Sequence, residues 1–377
     1  MCSKEVIRSK PKGSVAEVIR QLGREVDTLT LSSWQKSTIR AIRDCRTQAL
    51  GGHIDVCTSC RSLHISYNSC RNRHCPKCQG HKKQEWMDKR KDELLPVPYF
   101  HVVFTLPDVL NPLSMYKPAK VYDFVFKSAW DTLQTFGKNK GLKMGMISIL
   151  HTWGQNLSLH PHLHCIVPGG GIDKQGHFQK IRVDGKFLFS VKAMSKVFRA
   201  KYVSLMRQEK LGDQSLFDAL FQKPWVVYAK RPFGNVQSVI EYLGRYTHKI
   251  AISDHRIKIV KDQTVTFEYK DYRQNGIKKH MTLTQKEFVR RFAQHILPKR
   301  FVRIRHYGFL SSTWKRGKLK VLQNSMEVKK DVIETKGLYL HRCPLCKTGK
   351  LITICTFDSR GPPQEYHSGL LSISLNN

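Results

Sequence analysis

The stretch HPHLHCIVPGGG, His160 to Gly171, carries histidines at every second position: His160, His162 and His164. In an extended strand alternate side chains share a face, so these three imidazoles lie together while Leu163, Cys165 and Val167 take the opposite side. Pro161 has no N–H to give a ladder, so the regular strand should begin at His162 or lie at a sheet edge. Pro168 to Gly171 then reads as a tight turn. Two imidazoles on one face of a strand make a good clamp for a divalent cation. The plain alternative is a histidine cluster on a solvated face, which fits poorly with so apolar a strand.

Reading outward, Tyr99 to Leu106 and Met146 to His151 have the β-branched and aromatic runs of strands, and Tyr116 to Phe136 between them has helical spacing. Shorter strands are expected at Ile257–Val260 and Thr264–Tyr269. Val15 to Leu50 reads as helical up to the break at Gly51-Gly52, and Gln79 to Leu95 as a basic helix. A helix is expected from Val236 to Ile250. It would set Tyr242 and Tyr246 one turn apart on one face. Alone, such a pair is more often ordinary packing. Beside a metal-binding strand it acquires a chemistry. A tyrosine can attack a phosphodiester and hold the nucleic acid covalently, and a metal on the phosphate offsets the phenol's ordinary pKa of about 10. The leaving group is then a free 3′ hydroxyl.

The chain has 11 cysteines. Cys57-x2-Cys60 and Cys75-x2-Cys78 have the spacing of two knuckles that can share one tetrahedral Zn2+, with Cys70 and His74 close enough in sequence to add or replace a ligand. Cys343-x2-Cys346 is half such a site, and two free thiols is the plain alternative.

Among 377 residues, 65 Lys and Arg stand against 29 Asp and Glu, a formal charge of +36. A protein this basic repels itself unless a polyanion neutralises it, and nucleic acid is the usual partner. No segment has the roughly 20 apolar residues of a membrane helix, and no apolar signal-type stretch opens the sequence. A cytoplasmic, nucleoid-associated protein is expected.

HPHLHCIVPGGG (His160 to Gly171) and EYLGRYTHKIAIS (Glu241 to Ser253) together resemble the two motifs of rolling-circle transposases of the insertion-sequence-ninety-one family, a branch of the HUH (His-hydrophobic-His) nucleases. NSCRNRHCPKCQ (Asn68 to Gln79) is similar to that family's zinc domain, and YFHVVFTLP (Tyr99 to Pro107) and RHYGFLSS (Arg305 to Ser312) to further segments, all in order. The resemblance implies an α+β fold in which an antiparallel sheet, flanked by helices, carries the histidine pair on a central strand facing the tyrosine helix. It implies His162 and His164 as ligands of a catalytic Mg2+ or Mn2+, and Tyr242 and Tyr246 as nucleophiles. Gln155, His160 and Glu241 are candidates for a third ligand. The expected division is a helical region 1–52, a zinc-binding DNA-binding domain 53–95, a catalytic domain 96–320 and a basic region 321–377 with a partial zinc knuckle. The partner implied is DNA, single-stranded or hairpin in form; a homodimer stays open. The same chemistry would serve a replication initiator or relaxase, and a decayed element could leave a non-catalytic zinc protein that only binds DNA.

Overall fold

The computed structural model describes residues 13–79, 93–182, 188–230, 233, 238–239, 241–242, 244, 249–326 and 342–366. Most of the expected basic helix 79–95 and Tyr246 lie outside the described residues. The fold is α+β, as the sequence leads one to expect.

The centre is a five-stranded antiparallel sheet built from β3 (Tyr99–Thr105), β4 (Gly145–Trp153), β5 (Leu159–Pro168), β8 (Val227–Lys230) and β12 (Ile304–Gly308), in the order β12-β4-β5-β3-β8. The histidine strand β5 is therefore central. Its Leu163, Cys165 and Val167 are fully buried and belong to a core with β3 residues Phe100, Val102 and Phe104. The same core takes in the long helices Pro118–Lys138 and Val191–Gln208. The other face changes character along its length. Ile147 and Ile149 of β4, Ile166 of β5 and Tyr99 of β3 form an apolar cluster with Val239 and Phe309, and then the histidines begin.

The strand carries Pro161 inside its span, beginning at Leu159 rather than His162. The register explains how. His151 pairs His162 and Trp153 pairs Leu159, so two β5 residues stand against one of β4. The missing Pro161 N–H falls in this bulge, where a ladder needs no donor. On the far side the Pro161 carbonyl still accepts from Leu106 N at 3.0 Å.

Edge strand β12 closes on β4 at Gly308 opposite Gly145. Gly308 has φ +58°, and a Cβ there would lie 1.8 Å from the Met144 carbonyl oxygen, so only glycine lets the strands meet.

Two smaller units pack around this sheet. Helices α1 (Val15–Leu22) and α2 (Ser33–Arg43) are capped by Ser14 and Ser32. They share a core with the three-stranded sheet of β9 (Ile257–Lys261), β10 (Thr264–Asp271) and β11 (Ile277–Thr284) and with the helix Gln285–Gln294. Trp34 Nε1 donates to the Leu297 carbonyl at 3.0 Å and Gln35 Nε2 to that of Ala293 at 2.9 Å, so the N-terminal helices are fixed to the later part of the chain. The second unit is a sheet of order β13-β1-β2, from Gly52–Cys57 (β1), Leu63–Tyr67 (β2) and Leu351–Phe357 (β13). It pairs a strand of the segment expected to be an N-terminal zinc domain with a strand of the C-terminal region. No helix among the described residues is long and apolar enough to cross a membrane.

Candidate active site and cysteine centres

Strand parity decides the site. On β5, His162 and His164 point to the face opposite Leu163. On neighbouring β4, the residue paired with His162 is His151. The ring nitrogens of His151, His162 and His164 lie within 4.8 Å of one another, a set of three converging donors. His151 and His164 are 2% and 8% exposed. Burial holds the His162 pKa down to about 4 and drives that of His164 well below the ordinary range, with nearby positive charge, including Lys249, adding to both. Both imidazoles are neutral at physiological pH, the form that ligates metals. The His160 carbonyl accepts from His162 Nδ1 at 2.7 Å. That bond fixes the tautomer and leaves the Nε2 lone pair available.

His101 of β3 adds a second layer. It is 4% exposed, and burial holds its pKa down to about 4. Its Nε2 is 2.8 Å from His164 Nδ1, and the two rings lie near-parallel, edge to edge, with centres 5.1 Å apart. Its Nδ1 is 2.8 Å from the Tyr242 hydroxyl. Tyr242, on a helical stretch that includes Ser238, Val239, Glu241 and Gly244, is half-buried with its ring 4.9 Å from Phe233. A continuous chain thus runs Tyr242–His101–His164.

Of the residues considered for a third ligand, His160 and Glu241 stand outside the histidine trio and are exposed. The Gln155 carbonyl accepts from Arg256 Nη2 in the loop after β4. His151 and His101 were not read from the sequence. The signal was present, since HTW and YFHVVF are strands with a single histidine each, but only the register shows that they face β5.

The cysteines group differently from the expected Cys57/Cys60/Cys75/Cys78 set. One centre is Cys45, Cys70, Cys75 and Cys78, and the other is Cys57, Cys60, Cys343 and Cys346; in each, all four sulfurs lie within 4.8 Å of one another. The reason is the direction of the β1–β2 hairpin. Its knuckle faces the C-terminal pair, while the 70–78 loop folds back on the end of α2, where Cys45 follows the last turn. Cys45 Sγ is 3.5 Å from Cys78 Sγ, and Cys70 Sγ is 3.7 Å from it. Cys343 and Cys346 are therefore not half a site. His74 is buried and outside both groups, held by Arg73 Nε at 3.3 Å. Arg73 also donates to the carbonyls of Phe301 and Pro298, tying the cysteine loop to the segment that leads into β12.

Cys45, Cys70, Cys75 and Cys78 fit a structural zinc. Four thiolates are its preferred closed set, and the sulfur separations are near the roughly 3.8 Å edge of a tetrahedron with Zn–S of about 2.3 Å.

Two family models match the chain. One, described as "Putative transposase", covers residues 145–318 and so contains β4, β5, Tyr242 and β12. The other, described as "Transposase zinc-binding domain", covers residues 18–106 and contains the whole Cys45/Cys70/Cys75/Cys78 group. Among curated proteins, the chain is 38% identical over 394 residues to "Putative transposase y4qJ" of Sinorhizobium fredii (strain NBRC 101917 / NGR234), covering 95% of this chain and 98% of the relative. It is 30% identical over 298 residues to the "Transposase for insertion sequence element IS801" of Pseudomonas savastanoi pv. phaseolicola, covering 73% of this chain and 70% of that protein. No solved structure matches.

Proposed function

Because the chain belongs to the insertion-sequence-ninety-one family of transposases, we propose that it nicks and joins single-stranded DNA through a covalent 5′-phosphotyrosine, as in rolling-circle transposition. The observation that carries this reading is the 2.8 Å contact of the Tyr242 hydroxyl with His101, itself 2.8 Å from His164. A phenol one imidazole away from a cluster of metal-ligand type is where a nucleophile belongs.

In this reading Tyr242 Oη attacks phosphorus, an Oη–P bond forms and the P–O3′ bond breaks. The phenol gives up a proton and the departing 3′ oxygen takes one up. Tyr246, one helical turn on, is the second nucleophile, so that one DNA end can be held while another phosphate is attacked. His151, His162 and His164 would hold a divalent cation, which would polarise the phosphate. A cation held by His164 through Nε2 would leave that ring's proton on Nδ1, which faces His101 Nε2 at 2.8 Å. The Tyr242 hydroxyl lies 2.8 Å from Nδ1 and 3.2 Å from Nε2 of His101, where the imidazole orients the phenol for attack. Three nitrogen donors suit Mn2+ better than Mg2+, which prefers oxygen. Exposed Arg61 and Arg71 on the cysteine-bearing segment are placed in this reading on the element ends.

The test is incubation with single-stranded DNA from candidate element ends and Mn2+ or Mg2+, followed by denaturing gels and peptide mapping. A 5′-linked adduct on Tyr242 or Tyr246 is expected. No adduct with any such strand, or equal cutting of relaxed duplex, counts against it.

A further inference from the structure

We propose that Cys57, Cys60, Cys343 and Cys346 form a second tetrathiolate zinc site, a clamp joining the two ends of the chain, so that the protein carries two structural zinc ions. This goes beyond the nuclease reading and does not depend on it. Half of its ligands lie outside the 18–106 segment that matches the zinc-binding family model.

The sulfur geometry is that of a metal site rather than of a disulfide. Cys57 Sγ is 3.6 Å from Cys346 Sγ, and Cys60 Sγ is 3.7 Å from Cys343 Sγ. A disulfide needs about 2.05 Å. A tetrahedron of thiolates around zinc, at about 2.3 Å from the ion, has edges of about 3.8 Å. The cross-paired contacts are what two knuckles make when they face each other over one ion.

Both knuckles have the backbone that such a site requires. In the first, Arg61 N donates to the Cys57 carbonyl at 3.1 Å and Arg61 turns left-handed at φ 58°. In the second, Lys347 N donates to the Cys343 carbonyl at 3.0 Å and Lys347 turns left-handed at φ 60°. These two tight turns aim backbone amides at sulfur: Ser59 N and Cys60 N reach Cys57 Sγ at 3.4 and 3.5 Å, and Gly349 N reaches Cys346 Sγ at 3.3 Å. Such donors stabilise thiolates, the ligating form. Around the rim, His64 Nε2 lies 3.4 Å from Cys343 Sγ and Ser62 Oγ 3.0 Å from Cys60 Sγ, further polar support for charged sulfur. Gly349 makes the approach possible, since a Cβ there would lie 2.3 Å from Cys57 Sγ.

The ligand pairs are 283 and 289 residues apart in sequence. Between them runs the whole catalytic sheet. The pairing of β13 with β1, from Gly52 opposite Phe357 to Cys57 opposite Leu351, ends at the knuckle. The strand ladder and the ion therefore support the same closure.

The experiment counts zinc by elemental analysis in the full chain carrying His162→Ala and His164→Ala, so that the histidine cluster takes no ion. Two zinc ions per chain are expected. Cys343→Ser with Cys346→Ser should halve the count, and Gly349→Ala should do the same with every cysteine still in place. Replacing zinc with Co2+ should give thiolate-to-cobalt absorption that halves in step, and limited proteolysis should then free the C-terminal strand. One zinc in the parent chain, or two retained in the Cys343/Cys346 variant, overturns the proposal. Should the double serine variant misfold, the parent count and Gly349→Ala decide the matter, and neither depends on strand cleavage.

Discussion

His101→Phe separates the proposed chemistry from ordinary packing. His101 is 4% exposed in the sheet, and phenylalanine fills much the same space. Its pKa, held down to about 4 by burial, means that no charge is lost at pH 7. What disappears are two contacts, to His164 Nδ1 at 2.8 Å and to the Tyr242 hydroxyl at 2.8 Å. Leaving those partners unsatisfied costs about 1–3 kcal/mol of stability each if they stay dry. The functional effect is separable. Removing a group that orients a metal ligand typically weakens metal binding 10–100-fold, or about 1.4–2.8 kcal/mol. Calorimetry with Mn2+ should find that loss in His101→Phe. The rate of adduct formation at saturating Mn2+ should fall as well, because Tyr242 has lost its own partner. A folded variant with Mn2+ affinity and adduct rate within about twofold of the parent would show that His101 is only a core residue.

Tyr242→Phe and Tyr246→Phe together should remove all covalent adduct on denaturing gels, while Tyr242→Phe alone should cost only about 1 kcal/mol of stability for its lost hydroxyl; normal adduct in the double variant would end the nucleophile assignment. His151→Ala, like His162→Ala with His164→Ala, should abolish metal-dependent cleavage with DNA binding largely kept, and Mn2+ should support cleavage better than Mg2+; full activity of His151→Ala in Mg2+ would remove it from the ligand set. His295, 3% exposed between Thr152 and the Leu157 carbonyl, has its pKa lowered by burial to about 4. Its unfolded value near 6.5 lies above that, so the unfolded chain binds the extra proton and stability falls as pH drops from 6.5 toward 4, by up to roughly 3 kcal/mol; urea melts should show a flatter pH dependence in His295→Phe, and an unchanged slope would refute it.

What could be read in the sequence follows from the range over which each signal acts. The alternation of His162, Leu163, His164 and Cys165 is local, and it set the two faces of β5 correctly: Leu163 and Cys165 are buried in the helix-covered core while the imidazoles converge on the other side. Tyr242 was likewise legible from its motif, and its hydroxyl does reach the histidine layer. Register is not local. Whether His151 stands beside His162 depends on how β4 slides against β5, and a one-residue slip would have turned it to the opposite face. The bulge at His160-Pro161 sets that slide, and sequence alone offered Pro161 only as a reason to shorten the strand. The cysteines follow the same rule at greater distance. Spacing recognises a knuckle, because two cysteines with two residues between them can share an ion whatever surrounds them. It cannot say which knuckle faces which. Cys45 lies just past the end of α2, in line with its apolar stripe, where a buried thiol looks like any other core residue. Cys343 looked like half a site because its partners lie 283 residues away. Here the tertiary fold, by pairing β1 with β13, assigned sulfurs that had appeared to belong to a single N-terminal centre to two. On the two-zinc proposal, the same pairing predicts that removing metal loosens the N-terminal cysteines and the C-terminal strand together, beside the sheet that holds His162 and His164.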